Sequence, residues 1–401
     1  MKLSLNKTVA AVASSALLLM AVPALGLAST ANAAGVTLNI GYEGPLTGAN
    51  AQLGINMQYG VQLAINQANS AANAPFTLKL VNLDDQGQGT LSPAQAQAAV
   101  ADPSMVAVVG PAFSGATRAA EPYYSAANMA TVSPSATAAA LAHGSNNNFM
   151  RVVAGDDVQG AADANFLVKK MHFKKIYVLN DASFYGAGLA AVVAKQVKAD
   201  RAKSVTATYQ ASSSCGGTAS VAQYRAAATQ IKASKATAVF YGGYYCDLGL
   251  ILGALHSAGY KGAVMSGDGS LDPALIKGTT PKTAANGVYL SVAGGGSAFL
   301  TGTLATEYQA QSGAPSAATA TYAAQAYDAT NMIIAALTTV YSGGATTVSA
   351  IRPALVTALH GLTFTGVTGQ IKFQSNGDLV RSSVVDFSRV IKGKIKSIGH
   401  S

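Results

Sequence analysis

Val106–Thr137 reads VAVVGPAFSGATRAAEPYYSAANMATVSPSAT, and the fold follows from how this stretch is parsed. Val106–Val109 is an unbroken apolar run, the pattern of a strand buried on both faces, and Gly110-Pro111 stops it. Ser114-Gly115-Ala116-Thr117 then falls where a helix begins, with unpaired amide hydrogens and the positive end of the dipole. Met129–Val132 forms a second short apolar run, followed by Ser133, Ser135 and Thr137. If the two strands are parallel neighbours, both polar loops open on one sheet edge, the carboxyl edge where open α/β sheets bind ligands. Amides and hydroxyls with no base beside them make a cradle for a small anion, not a catalytic centre.

Outward from that stretch, strand and helix patterns alternate. Thr37–Tyr42 reads as a strand closed by the GPLTG turn, Asn56–Asn69 as a helix with Met57, Val61, Ala64, Ile65 and Ala68 on one side, and Phe76–Leu83 as a strand. Ser92-Pro93 has the form of an N-cap followed by proline at the first helical position. A second series begins with the amphipathic segment Asp156–Lys170. It runs through strands at Lys175–Asn180, Val205–Gln210, Thr237–Tyr241 and Ala263–Ser266, separated by helices at Tyr185–Asp200, Ala219–Lys232 and Asp247–Ala258. Gly287–Val292 reads as a further strand, Ala298–Gln311 as a long helical region, and Thr321–Val340 and Val348–Leu359 as helices. Gln370–Phe373 and Val384–Ile391 close the chain as strands, with a turn at Asn376-Gly377-Asp378. Two similar series predict two doubly wound α/β lobes. The late elements are too few for a third domain and are distributed back over the two lobes, so the chain crosses between lobes three times. The expected division is residues 34–153 with 293–375 in lobe 1, and 154–292 with 376–401 in lobe 2.

Composition narrows the class. The 401 residues are 50% hydrophobic and only 11% charged, ample for two packed cores. Lys2 and Lys7 precede an apolar run from Val9 to Leu19, and Ala31-Asn32-Ala33 ends it, the form of a secretory signal peptide spanning residues 1–33. Without Lys2 and Lys7, 24 basic residues face 17 acidic ones, a net charge of +7. The excess is scattered apart from Lys392–Lys396 and reads as a solvated basic surface, without the concentrated basic face that nucleic-acid binding needs. Cys215 and Cys246 each follow a strand pattern in the second series, which puts them on one sheet edge where an exported protein can form a disulfide. Neither has a second cysteine or a histidine at metal-ligand spacing. His143, His172, His256, His360 and His400 are scattered, without a zinc motif or a partnered nucleophile, and Gly186-Ala187-Gly188 is too little for a dinucleotide site. No enzyme, metal or cofactor is expected.

Several segments in this order carry a family resemblance. They are GPLTG at Gly44–Gly48, VVGPAFSGAT and TVSPSAT, NDASFYGAGLA at Asn180–Ala190, FYGGYYCDLGLILGALHSAGYKG at Phe240–Gly262, MSGDG at Met265–Gly269 and TYAAQAYDAT at Thr321–Thr330. Together they resemble the periplasmic leucine/isoleucine/valine-binding protein family, the type I solute-binding proteins of ABC importers, over nearly all of the chain after its leader. The resemblance implies two lobes joined by a three-segment hinge, with the ligand in the interlobe cleft. It implies that Ser114, Ser135, Ala136 and Thr137 hold a ligand's α-carboxylate on lobe 1, in agreement with the anion cradle read from the residues. It implies that Tyr185, Tyr244 and Asp268 serve lobe 2, the Asp268 carboxylate pairing with an ammonium group under the tyrosines. Leu53 stands where some amino-acid binders of the family carry an aromatic. The family's first-lobe disulfide is absent, Phe113 and Asp84-Asp85 occupying that region, and Phe113 becomes an apolar wall beside Ser114. The expected function is capture of an amino acid, branched-chain or related, in the periplasm by a monomer that delivers it to permease subunits in the inner membrane. The alternatives are the same fold binding an amide, urea or an aromatic carboxylate, or acting as a ligand sensor.

Overall fold

A computed structural model describes residues 35–72, 74–142, 147–210, 218–294, 300–380 and 384–401, and among the described residues fourteen strands and the helices between them build the fold. The strands are β1 (Thr37–Gly44), β2 (Thr77–Asp84), β3 (Met105–Val109), β4 (Ala130–Ser133), β5 (Phe149–Arg151), β6 (Lys175–Asn180) and β7 (Lys203–Thr208). They continue as β8 (Ala238–Gly242), β9 (Ala263–Ser266), β10 (Tyr289–Ala293), β11 (Phe364–Gly366), β12 (Gly369–Ile371), β13 (Val385–Ile391) and β14 (Lys394–His400). Val36–Ser401 form one compact unit.

The first sheet is parallel, in the order β2-β1-β3-β4-β5. All five residues of β3 are buried, as its apolar run requires of a central strand covered on both faces. Helix Ala51–Ser70 lays Leu53, Met57, Val61 and Ile65 onto this sheet. The late helix Ala323–Ser342 packs beside it, and a Cβ on Gly60 would stand 2.2 Å from the Ala323 carbonyl oxygen, so only glycine permits that approach. Arg352 of helix Val348–Gly361 donates from Nε to the Met105 carbonyl (3.0 Å), fixing a second late helix to the same sheet. These helices return to the first lobe after the chain has built most of the second.

The second sheet has the order β14-β13-β10-β9-β8-β6-β7. Its parallel part, β7-β6-β8-β9-β10, repeats the order of the first sheet. In both, the order reverses between the first and third strands of the series, and loops leaving the carboxyl ends there diverge and leave a crevice. The sequence therefore sets up two facing switch points, one at the ends of β1 and β3, the other at the ends of β6 and β8.

Local readings are corrected in four places. Ser92 lies inside helix Ser92–Ala101, entered through Leu91, and does not cap it; its buried hydroxyl is hydrogen-bonded to Glu43 instead. The helix expected over Ala298–Gln311 spans Gly302–Ala310, with Thr301 extended before it and residues 295–299 outside the description. β11 was too short to read as a strand. β14 (KIKSIGH) carries only two isoleucines and no buried position, so an exposed edge strand left no apolar alternation to read.

Candidate functional site

The two switch points close on each other. Phe113 precedes helix Ser114–Ala126 after β3, and Tyr244 precedes helix Tyr245–Ser257 after β8. Their rings stack across the cleft with centroids 4.4 Å apart and planes 20° from parallel, and Tyr185 tilts against Tyr244 at 5.2 Å. Around this contact the two lobes meet through Asn56 Nδ2 donating to Asp272 Oδ2 (3.1 Å) and the Gln52 amide donating to the Tyr245 hydroxyl (3.3 Å). The Arg118 guanidinium also lies over the Phe184 ring at 4.2 Å.

A cavity lies between these faces, walled by Leu53, Met57, Phe113, Ser114 and Ser135 on one side and Tyr185, Tyr244, Asp268 and Gly269 on the other, with Tyr322. The walls close in until a water-sized sphere can be centred over only about 10 Å³, room for about one water molecule. Seven of the residues singled out in the sequence line this space. Ala136 and Thr137 do not; both are fully buried behind the wall.

On the lobe 1 side, Ser114 opens its helix with Phe113 extended (φ −98°, ψ 141°), and no side chain caps the first turn. The first amides of that helix have no partner within it, and the helix starts at the carboxyl edge of the sheet, beside the crevice. The Ser114 hydroxyl oxygen accepts the Ala138 amide (3.2 Å), which draws the loop after β4 against the helix start. Ser135 donates to the Ala112 carbonyl (2.7 Å), and the Ala136 amide is taken by the Ser133 hydroxyl (3.0 Å). The Thr137 hydroxyl is buried against the equally buried Asp156 carboxyl group, whose charged form it favours.

On the lobe 2 side, Asp268 is 3% exposed and held by two phenols: Tyr185 donates to Oδ1 (2.7 Å) and Tyr322 to Oδ2 (2.9 Å). Burial raises its pKa above the usual carboxylate range, while these two hydrogen bonds favour the charged form. Gly269 donates its amide to the Tyr185 hydroxyl (3.1 Å), and a Cβ there would stand 2.8 Å from the Tyr185 ring. Nearby Asp156 is pushed up to about 8, first by burial and then by the Asp268 charge. Asp163 is also raised by burial. The second lobe thus buries further acid groups near Asp268, which burial holds toward the protonated form and a nearby positive group would ionise.

Four residues were missed: Met57, Gly269 and Tyr322 in the wall, and Arg151 behind it. Tyr322 lies in the TYAAQAYDAT segment, whose place in the chain gave no hint that its phenol reaches Asp268, 54 positions away. Arg151 sits where the chain leaves β5 for the second lobe; it is 1% exposed and pairs through Nε with Asp378 (2.6 Å) where the chain returns between lobes for the last time. Its Nη1 also donates to the carbonyls of Ala136 (3.2 Å) and Ala138 (3.0 Å), tying the crossing segments to the loop behind the cradle. Cys246 is disulfide-bonded, and Cys215 lies outside the described residues. Among the described residues, no group of His, Cys, Asp and Glu is arranged to hold a metal, and no helix is long and apolar enough to cross a membrane.

The sequence profile of the family described as periplasmic binding protein matches residues 37–392. An amino acid binding protein of Pseudomonas aeruginosa is 30% identical over 231 residues, 57% of this chain and 60% of that protein, so the match spans less than two thirds of that relative. The leucine-, isoleucine-, valine-, threonine- and alanine-binding protein of the same organism is 27% identical over 359 residues, 88% of this chain and 90% of the relative. Among solved structures, the branched-chain amino acid transporter substrate-binding protein LivJ of Streptococcus pneumoniae, in complex with isoleucine, superposes with a TM-score of 0.74 at 25% identity, covering 91% of this chain and 99% of that one. A solute-binding protein of an R. palustris ABC transporter, in complex with benzoate, has the same TM-score at 17% identity, covering 91% and 96%. The family match, the two facing lobes and the cavity between them agree: this chain belongs to the periplasmic binding protein family and has its type I fold, that of a solute-binding protein and not of an enzyme.

Proposed function

We propose that the protein is the extracytoplasmic solute-binding subunit of an ABC importer, that it captures an amino acid with an apolar side chain in the periplasm, and that it hands it to membrane permease subunits. The observation that carries this reading is one cavity with a helix start and Ser114 on one wall and Asp268 on the opposite wall. A zwitterion needs both, because each charge taken from water requires its own partner. The carboxylate would meet lobe 1 and the ammonium lobe 2, so closure is driven by contacts that exist only when the lobes meet. Leu53, Met57 and Phe113 give the side chain an apolar wall. Phe113 and Tyr244 fill the space between the charged ends, so binding also has to part that stack. The relatives named for branched-chain amino acids support the ligand class. Calorimetry against a panel of amino acids tests the reading; heat from none of them removes it.

A second reading, an aromatic carboxylate, is supported by the Phe113–Tyr244 stack, into which a flat ring could slide, and by the benzoate-bound relative. It uses the Ser114 wall and leaves Asp268 without a cationic partner, and including benzoate in the same panel separates the two.

A further inference from the structure

The basic residues that look scattered in the sequence are gathered by the fold onto one end of the molecule. Residues 154–292 and 376–401 hold nineteen Lys and Arg against ten Asp and Glu, a net charge of +9, whereas residues 34–153 and 293–375 hold five against seven. Within the second lobe the two signs also separate. Asp181, Asp247, Asp268 and Asp272 follow the carboxyl ends of β6, β8 and β9, toward the cleft. The amino ends of the parallel strands, at the opposite pole, carry lysines, with Lys175 and Lys203 side by side. The acid at that end, Asp200, is already engaged by Lys169 (3.0 Å).

A groove of about 940 Å³ opens at this pole, bordered by Lys232, Lys235, His256, Lys261 and Arg389 and by no carboxylate among the described residues. All five are exposed. The β13–β14 hairpin brings more charge: Arg389 stands opposite Tyr289, and the Gly393 amide donates to Asn286 Oδ1 (2.9 Å), which sets the exposed Lys392 and Lys394 beside the groove. Phe173, Tyr260 and Tyr289 line it, the Arg389 guanidinium lying over the Tyr289 ring at 5.0 Å. The four lysine and arginine cations ride on long exposed stems around a wide opening and do not converge on a buried point, so they suit an extended negative surface better than a single anion. Aromatic rings among cations are the composition of a membrane interface.

We propose that this basic pole docks on an anionic phospholipid surface, holding the protein at the membrane by the end farthest from the cleft. The acidic balance of the other lobe makes the attraction one-ended and leaves the ligand site clear. Each lysine near such a surface contributes about 1 kcal/mol, or about fivefold in partitioning, until salt shortens the range of the field.

The test is co-sedimentation of residues 34–401, which contain the whole compact unit, with vesicles of phosphatidylcholine alone or with about a third phosphatidylglycerol, at about 50 and about 500 mM salt. Binding is expected only with phosphatidylglycerol and only at low salt. The triple variant K232Q/K261Q/K394Q should lose roughly a hundredfold, and K79Q/K372Q, on the other lobe, should bind as wild type. The hairpin pair K392E/K394E is an independent check should the triple variant not fold. Equal binding to uncharged vesicles, indifference to both pole variants, or binding to soluble polyanions such as heparin without vesicle binding would each overturn the proposal.

Discussion

Asp268→Asn is the substitution that bears most directly on how the cleft is used. The carboxylate is buried and receives one phenol on each oxygen, 2.7 Å from Tyr185 and 2.9 Å from Tyr322. Asparagine keeps the shape and one acceptor, and replaces the other oxygen by an amide that the second tyrosine can meet with its own lone pair. The fold should therefore survive, while the negative charge is lost. A charge-assisted hydrogen bond contributes about 1.5–3 kcal/mol, so the Kd for an amino acid should rise by about 10- to 150-fold. The same change should leave benzoate binding unchanged or tighten it, because a buried charge facing an uncharged ring is removed. Because burial raises the Asp268 pKa, an ammonium bound beside it also drives off a proton. Wild-type affinity for the zwitterion should thus increase with pH through the titration of Asp268, and this dependence should vanish in the variant. Isothermal titration in two buffers of different ionisation enthalpy measures affinity and proton release together. A zwitterion bound within twofold of wild type by Asp268→Asn would refute the assignment of an ammonium partner to this residue.

Four further outcomes are expected. Ser114→Ala should weaken amino acids and benzoate alike by tenfold or more, about 1.5 kcal/mol for a hydrogen bond to a carboxylate, and unequal losses in calorimetry would argue against a shared carboxylate cradle. Arg151→Met strands Asp378 and the carbonyls of Ala136 and Ala138, so urea unfolding should show a loss of about 3–5 kcal/mol, and a neutral result would remove the hinge role given to this arginine. Burial pushes Glu43 up to about 8, Asp85 to about 7 and Asp156 to about 8, so the folded state holds more protons than the unfolded one above a pH of about 4. Their contribution is full below that pH and is lost as pH rises toward about 8; unfolding free energy should fall over that window and Glu43→Gln should flatten the fall, whereas stability rising with pH would contradict the account. Finally, peptide mapping should recover Cys215 linked to Cys246, and reduction should lower stability by about 3–4 kcal/mol for a loop of that length; two unlinked peptides would exclude the pairing.

The extent to which the site was legible in the sequence follows from the range of the interactions. Phe113 and Ser114 were readable because a strand, a turn and a helix start are set by neighbours a few positions apart, and a parallel sheet always presents such a loop on its carboxyl edge. Asp268 and Tyr244 came from the family resemblance alone, and the structure places both on the wall of the cavity, after strands of the second series. The family resemblance placed Thr137 in the cradle, but the structure sets it behind the wall, because Ser133 and Ser114 pull the loop after β4 inward. Ser92 looked like a cap until its neighbour proved to be Glu43, 49 positions away.

The amino-acid sequence by itself determined two alternating α/β series and the polar loop after β3, because apolar periodicity and turn chemistry act over a few residues. Tertiary structure alone decided that Phe113 stacks on Tyr244, that Tyr322 joins Tyr185 on Asp268, and that Arg151 pairs with Asp378. It also decided that lysines from five separate segments share one pole. Those contacts join residues tens to hundreds of positions apart, and their partners are chosen by the packing of two lobes through three crossings of the chain.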